Sequence, residues 1–261
     1  MYPQTHVYFA HQVLEKMSDA IALGSLFPDM LTGGSLSHQK AHSLGFQLLE
    51  TFRDQPELSD FARAVITHGI EPGGLDYFGD EKYLDCQKGY CFEKALPLVE
   101  ATTKACNLPP EMGWWKAHNI IEMGIELRIS TSGPYWEILQ QAFRNESLIM
   151  RLGQELAFIT GIGPRELLNR IRRFPRYIVT HRATSFALAN KFQVQMHARH
   201  GIEININAVT GLIELSSCHV ESDLDDFFGL VNTLVRQNLA YAENGDGNYS
   251  LPRGGCSSSA P

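Results

Sequence analysis

Glu111-Met112-Gly113-Trp114-Trp115-Lys116-Ala117-His118-Asn119-Ile120-Ile121-Glu122-Met123-Gly124-Ile125-Glu126-Leu127-Arg128-Ile129-Ser130 is the stretch that decides the fold class of this chain. Pro109-Pro110 precedes it and no proline interrupts it. His118, Ile121 and Ile125 recur at offsets of three and four residues, the spacing that places side chains on one helix face. The stretch therefore predicts a long helix with an imidazole on its apolar stripe. Trp114 and Trp115, at its start, read as core or as the wall of a pocket.

The same period recurs outward from this helix. Thr5 reads as the N-cap of a helix over residues 6–17, with His6, Phe9, Ala10 and Val13 on one stripe. Pro28 then interrupts the Ala20–Met30 run, leaving Asp29 at the break. Ser37 is placed to cap a helix over 38–53, and Ser59 one over 60–70 that Pro72-Gly73-Gly74 ends. A helix over 88–105 should kink or split at Pro97, and further helices are predicted from Gly133-Pro134 to 144, from Pro164 onward, over 180–200 and over 223–241. Ile202-Glu203-Ile204-Asn205-Ile206 alternates like a short strand, but one strand makes no sheet. No internal repeat is present. The expected fold is all-α, a compact multi-helix bundle, with a single domain over residues 1–242 and a disordered tail rich in Gly, Ser and Asn over 243–261.

Composition excludes several classes. Of 261 residues, 44% are apolar and 20% charged, which is enough for a buried core and rules out disorder over most of the length. The net charge of −7 argues against a duplex nucleic acid as partner. No apolar run reaches the roughly 18–20 residues of a membrane span. Met1-Tyr2-Pro3-Gln4-Thr5-His6 lacks a basic segment followed by an apolar stretch, so a cytoplasmic location is expected. Cys86, Cys91, Cys106, Cys218 and Cys256 are odd in number and widely spaced, and read as small buried hydrophobes rather than a disulfide framework.

The histidines carry the chemistry. His6, His42, His68 and His118 each lie on the apolar stripe of a different predicted helix: His42 aligns with Phe46 and Leu49, and His68 with Phe61, Ala64 and Val65. One such imidazole is ordinarily a hydrogen-bonded core residue. Four converging on one core need partners that apolar neighbours do not supply, and carboxylates with a metal supply them. Glu122 follows His118 by four residues, and Asp76 can be folded back toward His68 across Pro72-Gly73-Gly74, with Glu71 as a closer substitute. Asp29 is held at its helix break. Imidazole plus carboxylate without thiolate suits zinc, manganese or iron. The donors exceed one tetrahedral site, so two or three neighbouring ions fit better than one. Such clusters activate water and clamp phosphate-ester oxygens, with Asp29 or Asp76 as the acid that orients the water. His38 reads as solvated, with a ligand role as the alternative. His197 and His200 read as surface residues. Arg170, Arg172, Arg173 and Arg176 read as a solvated basic face, with contact to a phosphate or an anionic membrane surface as the alternative.

These segments resemble the zinc-dependent phospholipases C over about residues 1–130. Thr5-His6, Leu26-Phe27-Pro28-Asp29, Lys40-Ala41-His42-Ser43, Thr67-His68-Gly69 and Ala117-His118-Asn119-Ile120-Ile121-Glu122 follow the order of that family's ligand segments. The resemblance implies an all-helical fold in which His6, Asp29, His42, His68, His118 and Glu122 are zinc ligands. It also implies a phosphate-ester substrate, either a lipid head group or, as in single-strand nucleases of the same fold class, a nucleotide. The chain departs from the pattern in two places. Secreted members begin with a Trp whose amino group binds metal, whereas this chain begins Met1-Tyr2. Their third segment reads His-x-x-x-Asp followed by a further His, whereas Pro72 stands four residues after His68 and no His follows before His118. Asp76 is then the substitute acid, and the last ion keeps only His118 and Glu122. The resulting expectation is a metal-dependent phosphodiesterase holding one to three ions. A metal-binding helical protein without catalysis is the alternative, and a plain helical module with core histidines is the third reading.

Overall fold

The computed structural model describes residues 1–32 and 36–244. Its helices are α1 (Pro3–Leu14), α2 (Asp19–Gly24), α3 (Phe27–Leu31), α4 (His38–Ala41), α5 (Gly45–Thr51), α6 (Pro56–His68), α7 (Tyr90–Ala95) and α8 (Val99–Ala105). The second half of the chain adds α9 (Gly113–Ser132), α10 (Tyr135–Arg144), α11 (Glu146–Thr160), α12 (Pro164–Arg173), α13 (Ser185–His200), α14 (Ile206–His219) and α15 (Leu224–Asn244). Among the described residues there is no strand, and no helix is long and apolar enough to cross a membrane.

α9 is the central rod. It packs against α14, α7, α8 and α1, while α1 also lies on α6. The first helix is thus sandwiched between the two others that carry inward histidines. Its Val7, Phe9, Ala10 and Val13 are buried, as are Phe61, Val65 and Ile66 of α6 and Ile120, Ile121 and Ile125 of α9. These apolar stripes at three- and four-residue spacing drive the packing by removing apolar area from water.

Local physics revises several boundaries. α1 begins at Pro3, not after Thr5; proline suits the first turn, and the orphan amides there are capped from a distance. The predicted 38–53 helix breaks at His42 into α4 and α5, although Ser37 does cap it by accepting from Lys40 N. α6 likewise begins at a proline, Pro56, upstream of Ser59. Pro97 splits the 88–105 segment, whose middle is a 3₁₀ turn over Leu96–Leu98. Ile202–Ile206 is not a strand: Asn205 caps α14 by accepting from Ala208 N. α11 and α14 went unread in the sequence. The expected tail, 243–261, starts too early, since Glu243 and Asn244 belong to α15; the rest of it lies outside the described residues. Cys91 and Cys106 are buried as expected, whereas Cys218 is exposed.

Gly124 marks the closest approach of α9 to α14. A β-carbon there would run into the Ser216 hydroxyl and stand 2.7 Å from the Ser217 amide nitrogen. The Gly124→Ala variant should lose about 1–3 kcal/mol through this overpacking, read as a lower urea midpoint; an unchanged midpoint would show that α14 shifts freely.

Candidate metal centre

Each candidate side chain reaches the centre from the end or the inner face of a helix. His6 lies on α1 and His68 is the last residue of α6. His42 is the C-cap of α4, at the break rather than on a continuous stripe. The chain then turns back tightly. Ile70 N donates to the His42 carbonyl at 2.9 Å, and a β-carbon on Gly69 would come 2.5 Å from that oxygen. Gly74 is equally close to Ile66 O, so only glycines allow the 69–74 segment to lie against the end of α6. This return delivers Asp76 to His68, whereas Glu71 is exposed.

Asp76 sits at the middle. Its Oδ2 is 3.0 Å from His68 Nε2 and 3.4 Å from His42 Nε2, and its Oδ1 is 3.4 Å from His6 Nε2. The Met1 amino nitrogen, fully buried, stands 2.9 Å from the same Oδ1 and 2.8 Å from Glu122 Oε1. Asp29 lies 3.8 Å from His42 Nε2. The rings of His6 and His68 stack with centroids 3.8 Å apart. His38 is exposed and stacks on the outer face of His42, also at 3.8 Å.

Three donor groups result, each with ligand atoms within 4.8 Å of one another: His6, His68 and Asp76; Asp29, His42 and His68, which shares His68 with the first; and, separately, Asp80, His118 and Glu122. The seven residues expected from the sequence all fall in these groups, five in the two that share His68 and two, His118 and Glu122, in the third. Asp80 was missed. It lies in the π-helical turn Tyr77–Glu81, four residues after Asp76, and supplies the third donor that the His118–Glu122 pair lacked. The only sequence signal for it is that four-residue spacing.

The ring orientations are set from outside the cluster. His42 Nδ1 bonds to His38 O at 2.9 Å and His68 Nδ1 to Ser25 O at 2.7 Å. The carbonyl bonds hold both Nδ1 atoms outward, so both Nε2 atoms face the centre, where each can act as a ligand once it carries no proton. His118 stacks on Phe92 at 4.1 Å, and Asn119 Nδ2 donates to Glu122 Oε2 at 2.9 Å. His6 Nδ1 and Nε2, His42 Nε2, His68 Nε2, His118 Nδ1 and Asp80 Oδ1 are all buried without an aligned hydrogen bond. Buried polar atoms normally have partners, and these atoms, spread over the three donor groups, are ones a cation could engage.

A second device fixes α1. Glu126, one turn beyond Glu122 on α9, accepts from Gln4 N at 2.9 Å and from Thr5 N and Thr5 Oγ1 at 2.8 Å. It thereby caps the helix that carries His6. Burial outweighs these bonds and raises the Glu126 carboxyl to about 7.

Burial and the facing carboxylates set the protonation of the cluster. Burial holds His6 well below the usual imidazole value, His68 adding to the effect, and burial holds His118 at about 4. Burial works against charge on His42 too, but Asp29 and Asp76 outweigh it and raise it to about 10. Burial opposes charge on the Met1 amine as well, and Asp76 and Glu122 overcome that to raise it. Asp80 is pushed up by burial and then by Glu122. At neutral pH the metal-free centre thus holds protons on the amine and His42, and an incoming cation must displace a proton to use His42 as a ligand. Titrating zinc into weakly buffered, metal-free protein near neutral pH should release at least about one proton per chain, with affinity rising with pH and falling as pH drops. Uptake independent of pH would contradict this. No family model, curated protein or solved structure matches the chain.

Proposed function

We propose that this protein is a zinc-dependent phosphoric-ester hydrolase of the phospholipase C type, acting on a phosphodiester. The observation that carries the reading is the convergence on Asp76: three Nε2 atoms from α1, α4 and α6 lie within 3.4 Å of its oxygens, and none makes an aligned hydrogen bond. A donor set of imidazole and carboxylate without thiolate suits zinc, with manganese or iron as alternatives. Asp29, His42, His68 and Asp76 would hold one ion and Asp80, His118 and Glu122 another, with His6 beside Asp76; the donors suffice for one to three. Bound there, such ions polarise ester oxygens and acidify water near neutral pH.

The chain's own groups divide the remaining work. Asp76 is buried with both oxygens engaged, so it holds the centre together and cannot turn toward a substrate. The Asp29 side chain is 31% exposed, against 7% for Asp76 and 4% for Glu122, and it marks the accessible side of the cluster. Burial would raise its carboxyl, but the nearby His42 and His68 pull it below the usual range. It therefore stays ionised at neutral pH and can accept a proton-bearing oxygen, which makes it the residue that orients the attacking water. A second reading, a helical protein that binds metal without turnover, has one observation in its favour: the Met1 amine already offsets the charge of Asp76 and Glu122.

Zinc-loaded protein should hydrolyse a chromogenic phosphodiester. A chelator should abolish turnover, and His118→Ala and Asp29→Asn should each lower kcat by about 10²–10⁴. Choline phospholipid and dinucleotide substrates, compared side by side, assign the ester class. Stoichiometric zinc without turnover selects the second reading, and failure to bind any divalent metal rejects both.

A further inference from the structure

We propose that the basic lobe formed by residues 160–200 docks the protein on anionic lipid bilayers. Between these positions stand eight Lys and Arg and a single acid, Glu166, a net of +7 in a chain whose total is −7, so the rest of the sequence carries −14. That count runs along the sequence; in space Glu146 of α11 pairs with Arg172 and Glu203 with His197, so the attraction for an anionic surface rests on the arginines left unpaired on α12, in the turn after it and at Arg182. The charge is available. Arg165, Arg172, Arg173, Arg176, Arg182 and Arg199 are exposed, and the guanidinium groups of Arg165, Arg173, Arg176 and Arg182 have no ion-pair partner among the described residues.

Aromatic side chains accompany this charge. Phe158, just before the lobe at the end of α11, is 96% exposed, Phe186 57% and Tyr177 45%. Exposed rings that share a face with guanidinium groups can enter the boundary between head groups and acyl chains while the guanidinium groups meet phosphates. A single-stranded nucleic acid would instead track a basic groove. Two surface cavities, of about 620 and 780 Å³, lie elsewhere, lined by Asp19, Trp136 and Gln140 in one and Leu96, Thr103 and Pro110 in the other. The lobe is also tied to the metal centre. Arg170 Nη1 donates to Leu31 O at 2.8 Å, joining α12 to α3, the helix that bears Asp29. Docking by this lobe brings head groups alongside the accessible side of the cluster.

Cosedimentation of the full chain with vesicles tests this, using phosphatidylcholine alone or mixed with phosphatidylglycerol. Metal-stripped protein is used, so that the result stands apart from catalysis. Binding is expected only to the mixed vesicles and should weaken as salt rises. The triple variant Arg165→Gln, Arg173→Gln, Arg176→Gln should bind on the order of a hundredfold more weakly with an unchanged melting temperature. Phe158→Ser should weaken binding while leaving its salt dependence intact. No binding to the mixed vesicles, equal binding by the triple variant, or preferential retention by single-stranded RNA would each overturn the proposal.

Discussion

One buried carboxylate organises this molecule. Asp76 is within 3.4 Å of His6, His42 and His68 and within 2.9 Å of the Met1 amine, so four separate segments must meet for its charge to be offset. Leaving such a group unpaired in a core costs several kcal/mol. The segments are held in place by packing that does not depend on it: α1 lies between α6 and α9, and the glycines at 69 and 74 permit the tight return that presents Asp76. The hydrophobic packing and the polar cluster thus rest on the same backbone positions. This shared footing explains why ring nitrogens can remain without aligned partners in a packed interior. The surrounding apolar contacts outweigh the polar deficit.

Much of this was legible in the sequence, because helical periodicity and an inward-facing ring are the same observation. His6, His68 and His118 lie on apolar stripes, and those stripes are buried. His42 points inward for a different reason. It ends α4, and its carbonyl is engaged by Ile70 N, so the stripe with Phe46 and Leu49 is not what aims it. Asp80 escaped notice because Gly73-Gly74 and Gly79 make its segment look like a loop, and four-residue spacing has meaning only once a helical turn is known. The start of α1 was misplaced for a non-local reason. Its cap is Glu126, 121 residues away from Thr5, and no local rule can anticipate a partner at that distance.

The functional reading grows from the same geometry. Carbonyl bonds to Nδ1 of His42 and His68 leave the opposite nitrogens facing Asp76, the arrangement in which imidazole serves as a ligand. Asp29 differs from the other acids by its exposure, and exposure separates a group able to meet solvent from one that only fixes charge. Arg170 connects this side to α12, the helix that also carries Arg165, Arg172 and Arg173.

Glu122 and Glu126 stand one turn apart on a single rod, about 6 Å along its axis. The first grips the Met1 amine and the second the amides of Gln4 and Thr5. α9 therefore works as a gauge block: it spaces the beginning of α1 against His118 with one rigid part. A small rotation of α9 about its axis would move both grips together, so the two halves of the cluster keep their alignment or lose it as a unit.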